Sequence, residues 1–378
     1  MALASSEDWT SVLLMRCSIV PPYLLARIAA SADDRAMPVV ARAARRALVE
    51  SMPVRLARNA APEAFRGRDF GTERRDLRAA TRSPQRTISD AESTETLPGH
   101  VVRREGAAPV GDAAADEAYD GLGATFALYD EVFDRDSIDD RGLPLDATVH
   151  YGEEYDNAFW DGTRMVFGDG DGEIFRRFTV SIDVIGHELT HGVTQFTAGL
   201  LYQGQSGALN ESMSDVFGAM VAQHQLGQSV EQATWLIGAG LFTDRVEGVA
   251  LRSMKAPGTA YDDDILGKDP QPAHMDEYVD TPDDDGGVHI NSGIPNRAFQ
   301  LAATAIGGTS WTGAGPVWWA ALRSATLRPD ADFAAFAGET VAAATTAFGQ
   351  GSLKREAVVD AWRTVGIEPA HPLPEPAE

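Results

Sequence analysis

The ten residues from Val184 to Val193 read VIGHELTHGV, and they constrain this chain more than any other stretch. Val184, Leu189, Val193 and Phe196 recur at helical spacing, so the segment reads as an amphipathic helix. On it His187, Glu188 and His191 form the pattern H-E-x-x-H. Side chains four residues apart share a helix face, so both imidazoles can reach one metal ion. Glu188 stands beside them and can accept a proton from a metal-bound water. The pattern arises by chance in roughly one chain in a hundred of this composition, so it needs support from elsewhere in the sequence. The competing interpretation is an ordinary helix holding two satisfied histidines.

A catalytic zinc takes three protein ligands and keeps one position open for water. The segment LNESMSD supplies a third candidate, Glu211, on the next helical run, which is marked by Leu209, Met213, Val216, Phe217 and Met220. Asp215, one turn further on the same face, can hold the outer ring nitrogen of a zinc-bound histidine. A histidine six residues after His191 would be the other third ligand, but that position is Thr197. The plainer alternative for Glu211 and Asp215 is a polar helix face.

The charge is unevenly distributed. The net −24 divides into +6 for residues 1–86, which hold 15 Arg and no Lys against 9 acidic residues, and −30 for the remainder. A basic arm of this kind often binds nucleic acid. Here the arginines are scattered among Ala, Asp and Glu with few aromatics, and the acidic body repels phosphates. The expected partner of the arm is therefore the body of its own chain, with no nucleic-acid partner. The start, MALASSEDWTSVLLMRC, carries Glu7 and Asp8 where a signal peptide is positive, and its apolar VLLM is too short for a signal core. We expect no signal peptide, and a protein that is cytoplasmic or exported by a non-classical route. No apolar run reaches the ~18 residues of a membrane span, so no membrane partner is expected. Cys17 is the single cysteine, which excludes an intrachain disulfide.

The chain reads as three parts. Residues 1–86 contain helical runs (ARIAASADD, PVVARAARRALVESM) and a linker-like RGRDFGTERRDLRAATRSPQR. Residues 87–196 are expected to be strand-rich, since ATVHYGEEYDNAFWDGTRMVFGDGDG alternates apolar residues with Gly/Asp breaks, and to end in the H-E-x-x-H helix. Residues 197–378 are expected to be helical, with runs such as NSGIPNRAFQLAATAI and DFAAFAGETVAAATTAF. The acidic clusters YDDDI and PDDDG read as solvated loops.

Between about residues 97 and 367 the chain resembles the thermolysin family of neutral zinc metallopeptidases. The segments that carry the resemblance are YDNAFWDG, MVFGDGDG, IDVIGHELTHGVTQFTAGLLYQGQSGALNESMSDVFG, LRSM and DDGGVHINSGIPN. It implies an α+β thermolysin-like zincin: a strand-rich amino-terminal lobe, a helical carboxy-terminal lobe and a zinc cleft between them, preceded by a short prosegment. It implies one Zn2+ held by His187, His191 and Glu211, Glu188 as general base, and protein or peptide substrates. It further implies that His289, oriented by Asp284, and Tyr202 donate to the oxyanion. Asn157 and Ala158 would hold the substrate backbone, and Arg252 a substrate carbonyl. Phe175, Phe178, Val184, Ile237, Leu241 and Leu251 would line the pocket after the scissile bond, favouring cleavage before bulky apolar residues.

The chain departs from long secreted relatives in two places. Carboxylates of their double calcium site are replaced by Ala222, Thr234, Leu236 and Ala239, leaving Asp183. We expect that double site to be lost, since a hard cation needs clustered oxygens. The segment CSIVPPYLL, residues 17–25, resembles the short prosegment of the protealysin-like subgroup. Pro21 and Pro22 are expected to fix an extended stretch along the cleft. The thiolate of Cys17 would occupy the open zinc position, or else its thiol fills buried space. The prosegment would be an inhibitory, chaperone-like partner of its own enzyme, released by cleavage between Arg82 and Ile88. A monomer is expected. The alternative function is a catalytically latent family member acting as a protein-binding module, which the presence of Glu188, His289 and three ligands argues against.

Overall fold

The computed structural model describes residues 17–58 and 82–370, with side chains for 18–49 and 82–370. The sheet comprises β1 (Cys17–Ser18), β2 (Thr87–Asp90), β3 (His100–Arg104), β4 (Asp146–Val149), β5 (Ala158–Trp160) and β6 (Met165–Phe167). Their order is β1-β5-β6-β4-β2-β3, so the segment near the amino terminus forms one edge. β4 runs parallel to both β2 and β6, whereas β1 lies antiparallel to β5 with Cys17 opposite Trp160 and Ser18 opposite Phe159.

The arm continues into α1 (Pro22–Asp34) and α2 (Pro38–Arg58), which pack against each other as a hairpin. The two prolines do not share one conformation. Pro21 is extended, but Pro22 opens α1, where a missing N–H costs nothing because the first helical amides have no partner. The extended stretch is thus shorter than expected. Ile19, Val20, Leu24, Leu25 and Ile28 are all buried, at roughly 1.5–3 kcal/mol each for full burial. Charge complementarity is also present, through Arg42–Glu154 at 2.6 Å, Arg35–Asp264 at 3.1 Å and Arg46–Glu95. These pairs are solvent-exposed and contribute at most about 1 kcal/mol apiece. Apolar docking therefore outweighs the charge contrast that the composition advertises.

A long helix, α3 (Ala113–Phe133), lies in the lobe expected to be strands and turns. Asp112 caps it by accepting from Ala115 N at 2.8 Å. Gly121 and Gly123 weaken its helical signature but serve packing. A Cβ at Gly121 would fall 2.3 Å from the Ile185 side chain, and one at Gly123 the same distance from Arg86. Two buried helices, α4 (Ile182–Gln195) and α5 (Gly204–Leu226), form the centre of the molecule. They cross at paired glycines: a Cβ on Gly218 would sit 2.5 Å from Asp183 O, and one on Gly186 would sit 3.1 Å from Gly218 Cα.

Two short ladders, β7 (Leu236–Ile237) with β8 (Arg252–Ser253) and β9 (Asp262–Asp263) with β10 (Gly267–Lys268), lie in a largely irregular stretch, and the helices follow it. They are α6 (Asp284–Asn291), α7 (Gly293–Ile306), α8 (Gly315–Leu322), α9 (Phe333–Phe348) and α10 (Leu353–Thr364). Ile88, proposed above as the edge of the cleavage region, is fully buried within β2 between β3 and β4. The bond before it is not presented to a protease, so that part of the expectation is corrected.

Candidate metal centre and substrate cleft

α4 and α5 place His187, His191 and Glu211 with their ligand atoms all within 4.8 Å of one another, and all three residues are buried. Each imidazole is oriented from behind. His187 Nδ1 lies 2.8 Å from Asp215 Oδ1, and His191 Nδ1 lies 2.8 Å from Asn210 Oδ1. Since both partners accept, the protons sit on Nδ1 and the Nε2 lone pairs converge, 3.1 Å apart. Glu211 Oε2 stands 3.5 Å from His187 Nε2 and Glu211 Oε1 3.5 Å from His191 Nε2, and the buried Oε2 has no hydrogen-bond partner. Three lone-pair donors aimed at one buried point repel each other unless a cation joins them, so this donor set fits a Zn2+ ion. Burial alone would raise the Glu211 carboxyl; in the protonated, metal-free form of the site the charge of the surrounding imidazoles, His289 foremost, and of Arg252 holds it down at about 2.

Asp215 does more than its spacing suggests. Burial opposes its charge, yet Arg252 and His187 keep it well below the usual carboxylate range. Arg252 donates to it through Nε at 2.9 Å and Nη2 at 2.8 Å, and Asn296 Nδ2 adds a third contact at 2.8 Å. Asp215 thus ties one candidate ligand to one candidate substrate contact.

Glu188 Oε2 accepts from the backbone N–H of Trp160 at 3.2 Å, which puts this carboxylate beneath the β5 edge. Across the cleft, Asp284 to Gly287 all take positive φ, and this left-handed run folds the Asp284 side chain back onto the following turn. There Asp284 accepts from His289 N at 2.9 Å and meets His289 Nδ1 at 2.7 Å. His289 Nε2 lies 3.2 Å from Tyr202 OH, and Tyr202 OH donates to Glu211 Oε1.

The residues expected to hold a peptide backbone hold the arm. Ile19 N donates to Ala158 O at 3.2 Å, and Val20 N donates to Asn157 Oδ1 at 3.1 Å. Asn157 Nδ2 donates to Val20 O at 3.4 Å, and Arg252 Nη1 to Ile19 O at 3.3 Å. The Cys17 side chain lies outside the described residues, so only its backbone register is known. The six expected pocket residues are all buried. Phe175 and Phe178 pack with ring centroids 5.5 Å apart, while Leu241 and Leu251 meet around Gly238 and Leu251 N bonds Ile237 O. Val184 lies on α4 beside Asp183, whose carboxylate accepts from Gly238 N at 3.0 Å and Ser181 Oγ at 2.8 Å. Burial pushes the Asp183 carboxyl up to about 6.

Sequence reasoning missed Asn210, Asn296 and the Trp160 amide. Asn210 had a signal, since it lies 19 residues after His191 on the face of α5 that meets α4. A backbone amide carries no side-chain signal at all.

The chain matches the family description "Thermolysin metallopeptidase, catalytic domain" over residues 71–195 and "Thermolysin metallopeptidase, alpha-helical domain" over residues 198–367. It is 50% identical over 352 residues to an extracellular metalloprotease of Pectobacterium carotovorum subsp. carotovorum, covering 93% of this chain and 96% of that one. It is 52% identical over 285 residues to protease PrtS of Photorhabdus sp. (strain Az29), covering 75% and 76%. Among solved structures it resembles the precursor of protealysin, a metalloproteinase from Serratia proteamaculans. The TM-score is 0.82 and the identity 49%, over 93% of this chain and 99% of that one.

Proposed function

This chain belongs to the thermolysin family and is a zinc endopeptidase made as a proenzyme, and from that premise we propose how its own residues carry the reaction. The observation that carries the proposal is the convergence of His187, His191 and Glu211 on one buried point, with Glu188 beside them under the β5 edge.

His187, His191 and Glu211 would hold the metal, with Asp215 and Asn210 fixing the two imidazoles. When bound there, zinc lowers the pKa of a water and polarises the scissile carbonyl. Glu188 takes the proton of the attacking water and passes it to the leaving amine. Tyr202 and His289, already 3.2 Å apart and facing the same point, donate to the developing oxyanion, with Asp284 fixing the imidazole. Each such donor is worth several kcal/mol of transition-state stabilisation by analogy with measured oxyanion holes, roughly 3–4. Asn157 and Ala158 bind the substrate main chain as an added strand, and Arg252 binds a carbonyl.

Phe175, Phe178, Val184, Ile237, Leu241 and Leu251 select bulky apolar residues after the cut. Cleavage-site mapping on a mixed peptide pool, with and without a zinc chelator, tests both halves of the proposal. Cuts before Leu, Phe, Ile or Val that vanish on chelation support it. Zinc-dependent cuts before acidic or small residues would sink the pocket assignment while leaving the metal centre standing.

Residues 1–86 act as the inhibitory prosegment, 87–196 as the first lobe and 197–378 as the second. Processing falls upstream of the buried β2. For calcium, Asp183 is taken up by Ser181 and Gly238, which supports loss of the double site. Calcium titration followed by melting temperature checks this. A calcium-dependent rise abolished by Asp183→Asn would contradict it. Among the described residues no helix is long and apolar enough to cross a membrane. The extracellular relative makes release from the cell the favoured location of the two expected.

A further inference from the structure

The three residues that lead into β5 are clamped by a single loop. Gly168 N donates to Asn157 O at 3.0 Å and Gly170 N to Tyr155 O at 3.2 Å. Between these, Asp171 N donates to the side chain of Asp156, reaching Oδ1 at 2.7 Å. Asp171 in turn folds its own loop, its Oδ1 accepting from the amides of Glu173, Ile174 and Phe175 at 2.9, 2.7 and 3.0 Å. One carboxyl group therefore joins the segment carrying Asn157 and Ala158 to the loop carrying Phe175.

Asp156 is fully buried, and among the described residues the charged groups acting on it are the carboxylates of Asp171 and Glu154, with no cation to pair it. Its Oδ2 has no hydrogen-bond partner, and neither has the Oδ2 of Asp171. A carboxylate taken out of water without a cation is too costly to keep its charge. Burial first, then the neighbouring charges of Asp171 and Glu154, push its carboxyl well above the usual range, against the opposing hydrogen bond from Asp171 N. The carboxyl that meets Asp171 N is thereby biased toward its neutral form, which is close in shape and polarity to an asparagine side chain.

We propose that Asp156 is a positioning residue for the peptide-binding edge: through its bond to Asp171 it fixes the pose of Asn157 and Ala158, and so the strength of the main-chain hydrogen bonds that an extended peptide receives. This rests on the reading of that edge as the substrate strand. Asp156 touches neither the metal ligands nor the peptide. Its effect is transmitted through the adjacent peptide unit, where a small rotation misaims a hydrogen bond and weakens it.

The test is a binding cycle on the zinc-loaded, self-processed enzyme, with loss of the arm checked by intact mass. The probes are the peptide SIVPPYL, which copies residues 18–24, and its analogue methylated on the nitrogen that corresponds to Val20. Wild type should bind the methylated analogue up to about tenfold more weakly, because the donor to Asn157 Oδ1 is gone. Asp156→Asn should match wild type within about threefold on both probes. Asp156→Leu should bind the parent peptide up to about tenfold more weakly and no longer distinguish the two. Asp156→Ser removes the same contact and carries the test if the Leu variant does not fold. Full discrimination retained by the Leu or Ser variant overturns the proposal. Wild type that fails to discriminate overturns instead the assignment of the edge, and the proposal with it.

Discussion

Asn157 and Val20, 137 residues apart, are joined through both halves of one carboxamide, which accepts the Val20 N–H at 3.1 Å and donates to the Val20 carbonyl at 3.4 Å. With Ile19 bound to Ala158 and Arg252, the arm adds to the sheet as a short edge strand, the way an extended peptide is commonly captured. The ladder cannot run on, because Pro21 has no N–H to offer. The arm thus occupies the groove through the same main-chain contacts that we propose the body offers a substrate.

What holds the arm is predicted to be its apolar face. Truncating Leu24 or Ile28 to Ala should weaken docking by about 2–4 kcal/mol, since both are fully buried. Raising salt to 1 M, which screens Arg42–Glu154 and its exposed counterparts, should cost less than about 1 kcal/mol per pair. Hydrogen exchange of the α1 amides, in a Glu188→Gln background that keeps the arm attached, separates the two. A larger salt effect than truncation effect would reverse the ranking.

Packing and metal binding are coupled at the α4–α5 crossing. Gly218→Ala places a methyl where Asp183 O and His187 N now lie, at 2.5 and 3.0 Å, so the helices must part. Separating them moves Glu211 away from the two histidines. We expect zinc affinity to fall at least about tenfold, with a loss of stability of about 1–3 kcal/mol. Competition with a chromogenic chelator reads the first and thermal melts the second. Unchanged zinc affinity would show that the crossing tolerates a methyl group.

Stability should depend on pH through His150. Its Nδ1 lies 2.8 Å from Asp169 and its Nε2 3.2 Å from Asp112. The bond to Asp169 leads the causes that raise its pKa to about 9, against a desolvation cost and with help from the charges of Asp169, Asp112 and Asp90. The folded state therefore binds this proton more tightly than the unfolded chain. Its contribution is complete below about pH 6.5, shrinks as the unfolded chain loses its proton, and is gone above about pH 9. For a half-buried group we expect about 1–2 kcal/mol, or several degrees in Tm. The Tm difference between wild type and His150→Gln should be largest near pH 6 and close at pH 10. A gap that does not vary with pH would assign it to packing.

Much of the site was legible because its chemistry is carried by side chains at helical spacing. The two histidines of H-E-x-x-H could be placed from helical period, and Glu211 and Asp215 from period together with the ligands a catalytic zinc requires; the structure brings all four together. The helix α3 was not legible, because Gly121 and Gly123 weaken its periodic signal for the sake of close packing against Ile185 and Arg86. Nor was the turn at Pro22, since the same proline fits an extended segment and a first helical residue equally well. The charge contrast was real but misleading about magnitude, since a formal charge count does not register that the paired groups remain in water. Asp156 stood out as nothing in the sequence, because its significance is entirely a matter of what surrounds it.

The central claim is that this metal centre cuts peptide bonds with Glu188 as base, and that the arm is among the first it cuts. Wild type and Glu188→Gln, purified without exposure to other proteases and supplied with zinc, should be compared by intact mass over time. Glutamine keeps the size of the side chain and an acceptor for Trp160 N while removing the base. The account predicts that wild type sheds a fragment ending upstream of β2, whereas the variant keeps its full mass with zinc bound. Loss of the same fragment at the same rate from the zinc-loaded variant would contradict it.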